Sequence, residues 1–177
     1  FSQEIWNAEE IFFEVDLLLG LQAFENKKYK LAKKYFKRLN KASKYNFLFE
    51  DFLGNILLAW VEASENNKVE SLKFLDAIPS RYKNIKNIQN AFLQCYFDTS
   101  ETEVLFKNLI NNKDYNFSRY SFFLANYLLS KNKKEEVKEL IETAKKKNNA
   151  YLLIKQANKF IEKNNAKKIN EIFDCKN

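Results

Sequence analysis

Acid–base and nucleophilic catalysis draw on a small set of side chains, and this chain holds few of them in working arrangements. It contains no histidine, which removes Ser-His-Asp triads, Cys-His pairs, histidine-bearing zinc sites and imidazole proton transfer together. Carboxylates occur as neighbours at Glu9-Glu10, Glu50-Asp51 and Glu135-Glu136. Successive residues on a helix point in different directions, so such pairs do not converge on one substrate atom. Glu9, Glu10 and Glu135 fall early in helical stretches, where negative charge suits the helix dipole. Two glycines among 177 residues leave no material for a phosphate-cradling loop. Cys95 and Cys175 match no metal or redox spacing and read as small buried apolar residues. The expectation is no catalysis, no cofactor and no metal.

The remaining chemistry is charge. The net charge is +7 and the pI about 9.2, carried almost wholly by lysine, since the arginines are Arg38, Arg81 and Arg119 alone. Bidentate phosphate and base contacts favour arginine. The lysines interleave with Asn and Glu, as a solvated helix face does, so nucleic acid is not the expected partner. A lysine-rich helical-repeat module that binds nucleic acid stays as the alternative, beside a non-catalytic helical part of a larger enzyme. No apolar run approaches the ~18 residues that span a bilayer. The chain has no Met and opens at Phe1, which reads as a piece of a longer protein.

Glycine and proline scarcity excludes hairpin-rich sheets, and the apolar spacing is helical throughout. One helix starts at Ser2 and carries Ile5, Trp6, Phe12, Phe13, Leu17, Leu18 and Leu21 on its apolar face. Glu25-Asn26-Lys27-Lys28 breaks it, and a second helix follows with Tyr29, Ala32, Phe36 and Leu39. Further helices are expected over 47–63, 69–78, 85–97, 102–110, 117–129, 134–146, 149–162 and 166–173. Pro79 closes the fourth. Ser100 with Glu103 has the spacing of a capping box for the sixth. The reading is all-α, with five antiparallel helix pairs over roughly 5–44, 47–79, 84–112, 116–148 and 149–174.

Helix pairs at a fixed period call for internal alignment. The segment from Leu19 to Leu39 sets Gly20 twelve residues before Ala32, with Phe36 four further on and Tyr29 opening the second helix. Ala59, Ser71 and Leu75 repeat that spacing, as do Ala125, Val137 and Ile141, with Ala144 completing the stripe. The unit over 84–112 offers Ala91 and Phe106 but no small pair twelve apart. These residues resemble the tetratricopeptide repeat. Leu57-Leu58-Ala59-Trp60-Val61-Glu62-Ala63 is in addition similar to large tetratricopeptide proteins of alphaproteobacteria.

The resemblance implies a right-handed α-solenoid that binds a protein or peptide in the concave groove lined by the first helix of each pair. The groove positions are then Leu17, Leu21 and Phe24, then Ile56 and Trp60, then Phe122 and Asn126 with nearby Arg119. Leucines stand where a carboxylate-gripping clamp needs Lys and Asn, so the implied ligand is an amphipathic or extended apolar segment. The resemblance also implies an internal block of a longer exported protein, in the periplasm or at the envelope, with the cytoplasm as the other location. Apolar residues at both ends, Phe12 and Phe13, then Ile169, Ile172 and Phe173, are expected to meet further repeats or a second copy.

Overall fold

Among the described residues, the chain reverses direction without glycine four times in one way. Lys27, Asn66, Asp98 and Asn132 all have positive φ, between 52° and 62°. At each, two backbone N–H groups fold back onto the preceding helix: Lys27 N–H to Phe24 C=O and Lys28 N–H to Ala23 C=O, both 2.8 Å. Asn66 and Asn67, Asp98 and Thr99, and Asn132 and Lys133 repeat the pair of bonds at 2.8–3.0 Å. The left-handed residue thus satisfies the orphan carbonyls at the helix end and aims the chain into the next helix.

The computed structural model describes residues 2–42, 52–112 and 120–147. Among them are eight α-helices and no strand: α1 Ser2–Glu25, α2 Tyr29–Ala42, α3 Leu53–Ser64, α4 Lys68–Asp76, α5 Lys83–Tyr96, α6 Thr102–Ile110, α7 Ser121–Ser130 and α8 Lys134–Lys147. The all-α expectation holds. The helices expected over 149–162 and 166–173, with Ile169, Ile172 and Phe173, lie outside the described residues. Phe52 is a turn residue, so α3 starts later than the expected 47. The proposed capping box is absent. Glu101 occupies the cap of α6 with no side-chain cap bond, and the Glu103 carboxylate is drawn off by Lys107 and Lys133. Pro79, in extended backbone, leads through a short 3-10 turn, Ser80–Tyr82, into α5.

The chain divides into two units between Asn90 and Ala91, inside α5. In the first, α1 packs on α2, α2 on α3 and α3 on α4. Its core gathers Phe13 and Ala23 from α1, Ala32, Phe36 and Leu39 from α2, and Leu58 and Val61 from α3. Both glycines of the sequence serve this packing. A Cβ on Gly20 would collide with the edge of the Phe36 ring, and one on Gly54 would strike the Asn40 side chain. Asn40 Nδ2 donates to Asn55 Oδ1 at 2.9 Å beside that contact. In the second unit α6 packs on α7 and α7 on α8, around the fully buried Phe106, Leu124, Leu128 and Ile141.

The turns give the register. Gly20, Ala59, Ala91 and Ala125 each precede a left-handed residue by seven positions, and the three alanines are wholly buried. Ala32, Ser71 and Val137 follow it by five, whereas buried Thr102 follows Asp98 by four. The third pair therefore has a small couple, Ala91 and Thr102, at a spacing one residue short. That agrees with the expectation of no small pair twelve apart and locates the couple at eleven.

Lysine is a poor occupant of a left-handed position, where its Cβ crowds the following carbonyl. Lys27→Gly should therefore raise stability by about 0.5–1 kcal/mol, read as a higher urea midpoint at unchanged slope.

Candidate functional site

Side chains on the first helix of a pair that stay outside the core are those free to meet a partner. Leu21, one position after Gly20, is 41% exposed on α1, while Leu17 and Phe24 pack half-buried against the first-unit core. On α3 the equivalent of Leu21 is Trp60, half-buried, whose Nε1–H donates to Gln89 Oε1 at 2.8 Å. Ile56 lies one turn earlier, also half-buried. The Trp60–Gln89 bond joins α3 to α5 within the first unit. In the second unit Tyr127 OH at the end of α7 donates to Thr99 C=O in the turn after α5 at 3.4 Å, and Lys131 pairs with Asp98 at 2.7 Å.

On α7 Phe122 is half-buried, and Asn126 is 8% exposed with Oδ1 lacking a hydrogen-bond partner. Arg119 lies outside the described residues. The structure thus brings Leu17, Leu21, Phe24, Ile56 and Trp60 into the first unit, and Phe122 and Asn126 into the second.

Two residues escaped the sequence reading. Ile88 and Phe92 occupy on α5 the positions of Ile56 and Trp60, and both are half-buried. Phe92 stands edge-on to Phe106, Tyr120 and Phe123 at centroid distances of 5.2, 5.8 and 4.8 Å. Counting back ten and six residues from the acidic turn residue Asp98, as Ile56 and Trp60 precede Asn66, finds them. Counting from the second helix does not, because that spacing is the one that changes.

Ion pairs lock consecutive helices. Lys33 on α2 meets Glu62 on α3 at 2.8 Å and also Glu65, and Asn67 Nδ2 donates to Glu62 at 3.0 Å. Burial works to raise the Glu62 pKa, but the hydrogen bonds from Lys33 and Asn67 outweigh it and hold the carboxyl below its ordinary value. In the second unit Glu103 accepts from Lys107 and from Lys133, the latter at 2.9 Å, and is likewise lowered, chiefly by those hydrogen bonds. A carboxyl lowered on folding contributes stability above its unfolded pKa and loses it as pH falls through the folded value. The melting temperature should therefore fall as pH drops below about 4.5. Glu62→Gln and Glu103→Gln together should lower it at neutral pH and flatten that acid limb.

No group of three or more His, Cys, Asp or Glu suited to a metal ion occurs among the described residues, and no helix among them is long and apolar enough to cross a membrane. Cys95 is buried, as expected of a small apolar residue, but it is disulfide-bonded rather than free. Cys175 lies outside the described residues.

The class that fold and site define is a helical-hairpin protein with half-buried apolar side chains along its first helices. Comparison with family models, curated proteins and solved structures finds no match.

Proposed function

We propose that the chain is a tetratricopeptide-like α-solenoid that binds an extended or amphipathic apolar polypeptide segment along its first helices, without catalysis. The observation that carries this reading is the Trp60–Gln89 bond, which joins two first helices, α3 and α5, of the first unit. The register of small residues and left-handed turns supports the repeat, and half-exposed leucine and aromatic side chains on the first helices suit apolar segments. Lysines at Lys33, Lys107 and Lys133 hold carboxylates, which leaves less charge for phosphate and places nucleic acid second. A disulfide persists in oxidising surroundings, in keeping with an envelope or periplasmic setting.

Selection from a displayed random-peptide library tests this. Apolar sequences should enrich on the native chain and be lost on Leu21→Ala/Trp60→Ala, with helical circular dichroism retained. Should that variant unfold, Leu21→Ser, at an exposed position, serves in its place. Peptides that enrich equally on native and variant chains defeat the proposal.

A further inference from the structure

Among the described residues, seven lysines between Lys33 and Lys138 hold carboxylates. Lys27, Lys28, Lys30 and Lys34 hold none among the described residues, and they line one open cleft of about 630 Å³ at the α1–α2 turn. The other side chains there are half-buried Tyr29, Leu31 at 39% exposure, and Glu65. Glu65, the sole carboxylate of the lining, is already held by Lys33. The cleft therefore joins four uncompensated positive charges to an apolar floor. The turn itself points the same way. Three of the four equivalent turns place Asn or Asp at the left-handed residue, and this one places Lys27. A lysine there is costly to the backbone and adds to the cationic rim.

We propose that this cleft takes up an acidic segment of a partner polypeptide, its carboxylates on the lysines and its apolar side chains on Tyr29 and Leu31. Flexible ammonium groups around an apolar floor, with no arginine present, suit carboxylates interrupted by leucines better than the regular phosphates of a nucleic acid. The proposal is independent of the first-helix face, since none of the cleft residues belongs to it.

Fluorescence anisotropy of a fluorescein-labelled peptide of glutamates interrupted by leucines, at about 50 mM salt, provides the test. The native chain should bind saturably, and Lys28→Gln/Lys30→Gln/Lys34→Gln should bind at least about tenfold more weakly. The charge-matched control Lys68→Gln/Lys83→Gln/Lys134→Gln should bind as the native chain does. Lys27→Gly should melt higher yet bind more weakly, a combination that a purely structural lysine would not give. Leu21→Ala/Trp60→Ala should leave this binding unchanged, so failure at one surface is separable from failure at the other. The proposal is overturned by absence of saturable binding, by equal losses in the two triple variants, or by a single-stranded oligonucleotide binding as tightly as the peptide.

Discussion

Phe36→Ala should destabilise the first unit by about 3–5 kcal/mol. The ring is 1% exposed and sits among Phe13 of α1, Leu39 of its own helix, and Leu58 and Val61 of α3. It therefore belongs to a core drawn from three helices. The partner of this ring is an absence, the missing Cβ of Gly20. Gly20→Ala should cost about 1–3 kcal/mol through overpacking, although alanine is the better helix former by about 1 kcal/mol. The steric term wins because the atoms in the way are those of a buried ring. Gly20→Ala combined with Phe36→Leu should cost less than the sum of the two single changes. Trp6 and Trp60 both belong to the first unit, so tryptophan emission during urea unfolding reads each of these losses.

Phe106→Ala should cost a similar amount, about 3–5 kcal/mol, in the second unit. Phe106 is wholly buried, edge-on to Phe92 and stacked on Phe123 at 6.4 Å. It follows Thr102 by four residues as Phe36 follows Ala32, so the two phenylalanines are equivalents despite the one-residue difference in the turn. Loss of helical circular dichroism at lower urea than in the native chain measures the effect. A conservative Phe106→Leu should retain most of the stability, because shape rather than polarity is what changes.

Helix type and order were legible because the chain has almost no glycine or proline and a clear 3.6-residue apolar spacing. The observed α2, α6 and α8 match their expected spans to within a few residues. The first repeat was legible because Gly20, Ala32 and Phe36 are packing determinants written directly as residue size. The third pair was not, since losing one residue between Asp98 and Thr102 erases the twelve-residue spacing although Ala91, Thr102 and Phe106 are all buried. Ser100 with Glu103 misled for an electrostatic reason. Lys107 on the same helix and Lys133 offer Glu103 charged partners, which outcompete a backbone N–H. The disulfide at Cys95 was not legible, because cysteines distant in sequence carry no spacing signal. Among the candidate site residues, spacing placed Leu21 and Trp60 on first helices but could not distinguish Leu17 and Phe24, which lean on the core, from the more exposed Leu21.

Backbone amide exchange, with and without a library-selected apolar peptide, reaches the central claim most directly. Slowed exchange confined to first helices, over 17–24 and 56–63 in the first unit or 122–129 in the second, is the result expected of a partner held by those helices. Slowing confined to α2, α4 and α8, with the first helices unaffected, would contradict it.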